Sequence, residues 1–295
     1  MMLYPSKTLA KEGHPDPEFS GEGSCTIIIM TILALGLVII PLILWIIGFI
    51  YANDFSVSLQ NLQKISSQFI NILIVFPHAD DEALSTGGLI YQISRKNVTT
   101  TWLILTKGEK GNENATFDEQ LKHVRVAESK KVASIYGIKN IIQKDYPDNG
   151  ITEYKKKLKE DLKQTIGDLQ PDLIITYDLA GLYGHPDHIT TSELVTYLVR
   201  NEFKNTQLWY VSSPKKIIDA TSLPEHMAKD SEYRNKRAYP NGKVWIGFQG
   251  IINKIRAVYA YKSQQESYTS ALPIKAIPLW FYISLQPYEY FHIVT

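Results

Sequence analysis

The chain has 295 residues, of which 44% are hydrophobic and 21% are charged, and its formal net charge is +1. This is the composition of a globular protein, and it excludes a chain that is disordered throughout. A nearly neutral chain has no long-range attraction for phosphate backbones, so we expect no nucleic-acid partner. The single cysteine, Cys25, excludes an intrachain disulfide framework.

The chain begins with a polar tail and continues with a long apolar segment. The scattered Pro, Gly, Ser and charged residues of positions 1–25 predict a disordered tail. Residues 26–51 carry no charge, and at about 1.5 Å per helical residue they are long enough to cross a hydrocarbon core of about 30 Å. A cleaved signal peptide would have a shorter apolar core, and a buried core helix is the other alternative. We therefore predict one transmembrane helix over 26–51.

The charges that flank this segment predict its orientation. Lys7, Lys11 and the amino terminus precede the segment, whereas Lys64 is the basic residue that follows it within the range that matters. Because positive charge favours the cytoplasmic side, the rest of the chain is expected outside the cytoplasm on a single-pass anchor. Residues 52–70 are expected to form a polar linker.

From Asn71 onward, short apolar runs alternate with segments long enough to form helices. Runs of this kind are typical of strands buried on both faces of a parallel sheet, with helices as the crossovers. The predicted strands cover residues 71–76, 100–106, 140–143, 172–177 and 207–213. The sequence therefore predicts one α/β domain over 71–295, with a Rossmann-like, doubly wound and mainly parallel sheet. Such sheets bind ligands beyond the carboxyl ends of their strands.

A histidine and three acids follow the first predicted strand directly. In the stretch FPHADDEAL these residues are His78, Asp80, Asp81 and Glu82. Adjacent carboxylates repel one another, so positive charge is expected nearby. A helix N-terminus supplies part of that charge, and capping a helix is the simplest role for an acid cluster. Capping does not explain the histidine.

A second group of histidines follows the fourth predicted strand. The stretch YDLAGLYGHPDHIT contains His185 and His188, with Asp187 between them. The chain has seven histidines, and three of them follow strands whose carboxyl ends lie at one edge of the predicted sheet. Three imidazoles that converge with carboxylates indicate a metal site. His78, Asp81 and His188 would supply three ligands and leave a position for water, as in a catalytic zinc site.

The two motifs together carry a family resemblance. PHADDE followed downstream by GHPDH resembles the paired signature of the PIG-L or LmbE-like deacetylases, and Ala79 stands where many members have proline. Weaker matches in TKGEKG, RVAESKKVASIYG, YPDNGI and AYKSQ extend the resemblance over nearly all of residues 71–266. The resemblance implies a zinc-dependent enzyme that removes the N-acetyl group from a GlcNAc-containing glycoconjugate, such as N-acetylglucosaminylphosphatidylinositol.

The resemblance also implies roles for individual residues. The matching zinc ligands are His78, Asp81 and His188. Asp80 matches the general base of the family, and Fe²⁺ or cobalt could occupy the same ligands as zinc. His185 would stabilise the developing oxyanion or share the proton-transfer work. Asp187 would orient one of the imidazoles from the second coordination sphere.

Three further residues are candidates for contacts with the substrate. Arg125 borders the apolar face of a predicted helix, where an ion pair with Glu128 is as good an interpretation as a substrate contact, and the resemblance favours the contact. Glu109 and Asp148 lie on loops at the same sheet edge and could hydrogen-bond sugar hydroxyls, although acidic turn residues are ordinary in loops. Glu82 is expected to be a structural residue at a helix start.

The sequence thus predicts a membrane-anchored deacetylase that acts on an N-acetylated amino sugar. Two alternatives remain open, a deacetylase of a soluble GlcNAc conjugate and a catalytically silent carbohydrate-binding protein. The complete ligand set and Asp80 argue against the silent protein, because binding alone needs neither an open metal position nor a base.

Overall fold

In the computed structural model the chain divides into two compact units after Ile47. The predicted tail lies outside the described residues up to position 20, and residues 21–25 belong to the first helix. The structure describes residues 21–111, 116–220, 235–272, 274 and 276–294.

The first helix, α1, is the apolar segment. It extends over Gly21–Ala52 and contains Pro41. Its stretch Thr26–Ala52 is long and apolar enough to cross a membrane, and no part of its most apolar window is buried inside the protein. A signal sequence near an N-terminus meets the same criteria, so membrane crossing stays a prediction.

The second unit is built on one sheet that has eight strands within the described residues. In chain order these are β1 (Ser58–Gln60), β2 (Asn71–Phe76), β3 (Thr99–Thr106), β4 (Asn140–Tyr146), β5 (Leu173–Tyr177), β6 (Gln207–Ser212), β7 (Gly242–Trp245) and β8 (Tyr288–Val294). Their order across the sheet is β1-β7-β8-β6-β5-β2-β3-β4. Strands β2 to β6 run parallel, whereas β8 is antiparallel to both β6 and β7. The predicted, mainly parallel sheet is thereby confirmed.

Helices cover both faces of this sheet. They are α2 (Leu62–Gln68), α3 (Asp81–Ser85), α4 (Gly87–Ile93), α5 (Glu119–Tyr136), α6 (Lys155–Leu169), α7 (Gly181–Gly184), α8 (Pro186–Asn201), α9 (Lys215–Ala220), α10 (Gly247–Ala260), α11 (Gln265–Ala271) and α12 (Leu279–Ser284). Successive strand side chains point to opposite faces, so Ile74 packs in the core under α4, α5 and α10, and Val75 packs in the core under α6 and α8.

The topology brings two strand ends together at the centre of the sheet. β2 pairs with β3 on one side and with β5 on the other. From β2 the chain proceeds outward to β4, and from β5 it proceeds outward in the opposite direction to β6. Doubly wound sheets bind their ligands in the crevice where the crossovers diverge in this way. The residues that follow Phe76 and Tyr177 lie at that crevice.

The segment predicted as a linker, residues 52–70, is part of the folded domain. β1 pairs with β7 and forms one edge of the sheet. Helix α2 buries Ile65, and Phe69 directly after it is 3% exposed and packs edge-on against Trp209, with ring centroids 5.9 Å apart. The linker prediction is corrected here. A strand of three residues and a helix of seven are too short to produce a periodic hydrophobic pattern.

A chain that starts at Asn53 is expected to melt at a higher temperature than one that starts at Asn71. The shorter chain lacks β1 and the side chains of Ile65 and Phe69, whose burial contributes about 1.5–3 kcal/mol each. For a domain of this size the loss corresponds to a fall in Tm of roughly 10 °C or more. Calorimetry of the two chains measures the difference, and equal melting temperatures would show that residues 53–70 are a tether.

Candidate active site

The loops after β2 and β5 bring three buried histidines together. His78 follows β2, and His185 and His188 lie at the start of α8, after β5. The three side chains offer nitrogen atoms that lie within 4.8 Å of one another. A second group with the same property joins His78 to Asp148 and Asp187. The two motifs therefore meet in one cluster around His78.

Three of the side chains converge at the spacing of metal ligands. His78 Nδ1 and Asp81 Oδ1 lie 3.2 Å and 3.4 Å from His188 Nε2. Asp81 Oδ2 lies 3.6 Å from His78 Nδ1. Ligand atoms about 2.0–2.1 Å from a tetrahedral zinc ion are separated by roughly 3.3 Å. Two imidazoles and one carboxylate in this arrangement fit a divalent metal in both donor chemistry and spacing.

The outer nitrogen of each of these two imidazoles meets a hydrogen-bond acceptor. His78 Nε2 lies 3.1 Å from Asp148 Oδ1 and 3.2 Å from Asp187 Oδ2. His188 Nδ1 lies 3.3 Å from the carbonyl oxygen of Gly181. Acceptors at these positions hold the ring proton on the outer nitrogen and leave the inner lone pair for a metal. Asp148 thus contacts an imidazole, and its contact with a sugar stays a prediction.

Asp81 is the carboxylate among the three side chains that converge at ligand spacing. Burial favours the neutral acid, but the adjacent His188 and His78 outweigh burial and lower the pKa of Asp81 well below its usual range. The Tyr177 hydroxyl donates to Asp81 Oδ1 over 2.9 Å, and the Tyr177 ring stacks on His188 with centroids 4.3 Å apart. Tyr177 therefore holds a carboxylate and an imidazole in place. Its role was not predicted from the sequence, although Tyr177 ends the strand before the second histidine group.

His185 is the third imidazole of the cluster. Its ring stacks on that of His188 with centroids 4.7 Å apart and meets His78 edge-on at 4.8 Å. Burial, followed by the neighbouring imidazoles, lowers the pKa of His185 to about 2. His185 Nδ1 accepts the backbone N–H of Asp187 over 3.2 Å and caps α8. The ring proton is then on Nε2, which makes that atom a hydrogen-bond donor.

Asp80 is held in a backbone conformation that L-residues rarely adopt, with a φ of 122°. Its N–H donates to Glu82 Oε2 over 3.0 Å. Its carboxylate accepts the Tyr268 hydroxyl over 3.1 Å and lies 3.3 Å from Arg125 Nη2. Burial raises the pKa of Asp80 to about 6, against the opposing charge of Arg125. A carboxyl with this pKa is suited to proton transfer near neutral pH.

Arg125 pairs with Asp80 and does not pair with Glu128. The Arg125 side chain is 3% exposed, and a Cβ atom at Gly108 would lie 2.5 Å from its Nε, so the glycine-containing loop closes over the guanidinium. Glu128 accepts the backbone N–H and the hydroxyl of Ser263 instead, over 3.0 Å and 2.6 Å. The i,i+3 ion pair considered from the sequence is therefore not formed. A contact of Arg125 with a substrate stays a prediction.

Two further acids have partners within the protein. Glu109 is 5% exposed, and its Oε1 accepts the N–H of Asp148 over 2.8 Å. Glu82 is fully buried and accepts the Tyr261 hydroxyl over 2.9 Å as well as the N–H of Asp80. Burial raises the pKa of Glu82 well above its usual range. These contacts suit the structural role expected of Glu82, and a contact of Glu109 with a sugar stays a prediction.

The fold and the cluster define an α/β protein with a candidate metal centre at the switch point of its sheet. Residues 73–199 match the model of the family described as PIG-L, GlcNAc-PI de-N-acetylase. The matched stretch includes both histidine motifs. The resemblance inferred from those motifs is thereby confirmed over residues 73–199.

Two curated relatives have names that specify deacetylation. The probable N-acetyl-alpha-D-glucosaminyl L-malate deacetylase 2 of Bacillus anthracis is 35% identical over 130 residues, which cover 42% of this chain and 57% of the relative. A 1D-myo-inositol 2-acetamido-2-deoxy-alpha-D-glucopyranoside deacetylase of Corynebacterium glutamicum is 30% identical over 181 residues, which cover 52% of this chain and 61% of the relative. The chain thus spans less than two thirds of the length of these relatives.

Solved structures share the fold. The N,N'-diacetylchitobiose deacetylase of Pyrococcus horikoshii superposes with a TM-score of 0.58 at 22% identity, covering 79% of this chain and 87% of that one. GalB, the 4-carboxy-2-hydroxymuconate hydratase of Pseudomonas putida, gives a TM-score of 0.50 at 17% identity, covering 73% of this chain and 83% of that one. These two names specify different reactions, so the shared fold does not determine which reaction a protein catalyses. The chemistry of the site determines it.

Tyr177→Phe is expected to weaken metal binding about tenfold or more while it leaves the candidate ligands in place. The variant lacks the hydroxyl that donates to Asp81 but keeps the ring that stacks on His188. Loss of an outer partner of a metal ligand costs about 10- to 100-fold in affinity. Competition with a chromophoric chelator measures the affinity. Tyr146→Phe, whose hydroxyl donates to Asp161, is the control, and equal affinities in the two variants would contradict the role of Tyr177.

Proposed function

We propose that this chain is a zinc-dependent N-deacetylase that removes the acetyl group from an N-acetylated amino sugar. The observation that carries the proposal is the convergence of His78, Asp81 and His188 at ligand spacing. Asp80 precedes Asp81 in the chain. Their position at the switch point of the sheet is where the fold binds ligands. The named activities of the two curated relatives support the same reaction.

Asp80 is the proposed general base. When bound by His78, Asp81 and His188, a zinc ion supplies Lewis-acid chemistry that polarises an amide carbonyl and acidifies water. Asp80 takes a proton from the attacking water, for which a pKa of about 6 is well placed. It then returns a proton to the nitrogen of the breaking amide, because an amine leaves readily only when it is protonated.

His185 is proposed to stabilise the negative charge that develops on the carbonyl oxygen. Its Nδ1 is occupied by the N–H of Asp187, so its Nε2–H is available to the substrate. A pKa of about 2 keeps the ring neutral, which favours hydrogen-bond donation over service as a general acid. Of the two roles that the sequence left open, we therefore propose oxyanion stabilisation.

The substrate is proposed to be a glycoconjugate in which a GlcNAc-type ring carries a further group. The two curated relatives are named for such compounds, with L-malate in one case and myo-inositol in the other. For this chain a membrane or envelope glycoconjugate is proposed because of α1. A GlcNAc conjugate that is free in solution is the second candidate, which those two names favour.

We also propose that α1 is retained as a membrane anchor and is not cleaved as a signal peptide. The last turn of α1 is bonded into the domain, because Lys216 Nζ donates to the carbonyl oxygens of Ile50 and Asn53 over 3.1 Å and 3.0 Å. Asn53 Nδ2 donates to the carbonyl oxygen of Leu285 over 2.7 Å, and Ala52 is 3% exposed. Cleavage at the end of the helix would remove part of this buried structure. From the flanking charges we propose that the domain lies outside the cytoplasm.

Variants of the two neighbouring aspartates should separate metal binding from catalysis. Asp81→Ala and His188→Ala each remove one of three protein ligands, so both metal and activity should be lost. Asp80→Asn should keep the metal, because the amide has the size of the acid and is not a ligand, yet hydrolysis should fall by about 10² or more. His185→Ala should keep the metal and lose activity by about 10²–10³.

The measurement is metal content by mass spectrometry, together with amine release from a panel of N-acetylated amino sugars. Removing the metal with a chelator should abolish hydrolysis by the unaltered protein, and added Zn²⁺ should restore it. Asp80→Asn protein that has lost its metal, or that holds metal and hydrolyses at the normal rate, would show that the roles of Asp80 and Asp81 are wrongly assigned.

The protein made in cells is expected to keep α1 and to remain in the membrane fraction after alkaline extraction. Intact mass and N-terminal sequencing of the extracted protein test this. As a matched pair, Lys216→Gln should lower the melting temperature because it breaks one bond to Ile50 in α1 and one to Asn53 directly after it. Lys215→Gln should not lower it, because Lys215 pairs with the exposed Asp219. A soluble product whose first residue lies near position 53 would contradict the anchor.

A further inference from the structure

A buried ion pair lies in the wall of the cavity beside the candidate metal centre. The cavity has a volume of ≈ 140 Å³, and its lining includes Asp81, Tyr177, Lys254 and Glu289. Lys254 on α10 and Glu289 on β8 are joined by a contact of 2.8 Å between Nζ and Oε1, and their side chains are 6% and 1% exposed. Neither residue belongs to the two histidine motifs or to the proposed reaction.

Glu289 is fixed from the opposite side by α4. Its Oε1 accepts the N–H of Gly88 and its Oε2 accepts the N–H of Leu89, each over 2.8 Å. These N–H groups open a helix and have no acceptor within that helix. With Lys254 they compensate the carboxylate charge, so the pair forms a rigid, neutral unit in the cavity wall.

The pair has hydrogen-bonding capacity beyond the bond between its members. An ammonium group has three N–H donors, and within the described residues the hydrogen-bond partner of Lys254 is Glu289. Glu289 Oε2 accepts from Leu89 and has a second lone pair. A buried ammonium is costly unless its donors are bonded. The pair therefore offers both donors and an acceptor to a group in the cavity.

A hydroxyl group matches this combination, because it accepts from an ammonium and donates to a carboxylate at the same time. An anion would meet the charge of Glu289, and a cation would meet that of Lys254. The cavity volume is roughly ten times what a single water molecule needs, so it admits a group of ring size. The chemistry of the pair and the space beside it both point to a polyol.

We propose that Lys254 and Glu289 form a hydroxyl-recognition subsite, which fixes a polyhydroxylated ring in the cavity beside Asp81. The proposal rests on the proposed deacetylase function and identifies the part of the substrate that this subsite recognises. The hydroxyl belongs either to the amino-sugar ring itself or to a polyol attached to it. Lys254 is then a residue that determines specificity, and it takes no part in the bond-breaking step.

The test pairs a change in the enzyme with a change in the substrate. Lys254→Met keeps the apolar length of the side chain and removes its donors. With full-length, metal-loaded protein in detergent, kcat/KM is measured for methyl N-acetylglucosaminide, for its ring-deoxy analogues and for the inositol glycoside. For the unaltered enzyme, removing the recognised hydroxyl from the substrate should lower kcat/KM about 10- to 100-fold, mainly through a higher KM. For Lys254→Met, the same change in the substrate should leave kcat/KM almost unchanged.

The two arms of the test distinguish the source of the hydroxyl. If Lys254→Met loses the selectivity against a ring-deoxy analogue, the amino-sugar ring contacts the pair. If it loses the preference for the inositol glycoside, the attached polyol contacts the pair. Equal selectivity of Lys254→Met and the unaltered enzyme in both arms would overturn the proposal. The exposed Lys262 supplies the control, since Lys262→Met should retain the full selectivity.

Two further measurements keep the outcome clear. If Lys254→Met does not fold, as judged by its melting temperature, Lys254→Leu takes its place, and the same loss of selectivity is expected because leucine also has no donor. The affinity for the free-amine glycosides is measured by calorimetry alongside hydrolysis. Selective binding that depends on Lys254 in a protein without amide hydrolysis would overturn the proposed function and keep the subsite. Hydrolysis without that dependence would overturn the subsite alone.

Discussion

The candidate site depends on the direct pairing of β2 with β5. Ile74 lies opposite Ile175 in this pair, and the chain leaves the two strands in opposite directions across the sheet. The backbone hydrogen bonds between the two strands therefore set the separation between the loop that carries His78 and the loop that carries His188. The register of the sheet therefore fixes a spacing suited to metal ligands, and this spacing does not depend on the conformation of flexible loops.

Adjacent carboxylates in the first motif are stabilised by different partners. The sequence led us to expect a helix N-terminus as the source of positive charge, and the structure adds the buried guanidinium of Arg125 beside Asp80. Asp81 faces two imidazoles, and its pKa falls well below the usual range, whereas burial raises the pKa of Asp80 to about 6. Opposite shifts at neighbouring positions suit one residue to binding a metal and the other to moving a proton.

The parallel core could be predicted because its strands are buried on both faces and therefore appear in the sequence as continuous apolar runs. The convergence of the two motifs followed from the rule that parallel strands end at one edge. By contrast, β1 is too short for a pattern, and β8 mixes polar with apolar side chains in YEYFHIV. The hydroxyl of Tyr268 reaches Asp80 across 188 positions of sequence, and Lys254 reaches Glu289 across 35. No local pattern predicts such contacts, because tertiary packing alone creates them.

The end of α1 forms part of the wall of the cavity beside the candidate metal centre. Ala52, the last residue of the helix, lines the same cavity as Asp81, together with Pro214 and Tyr290. Lys243 donates to the carbonyl oxygen of Asp54 over 2.6 Å, which fixes the chain where it leaves the helix. A helix that served only as a tether would need no buried contacts at its end. Because the helix end forms part of the cavity wall, its position and the shape of the cavity are set by the same packing.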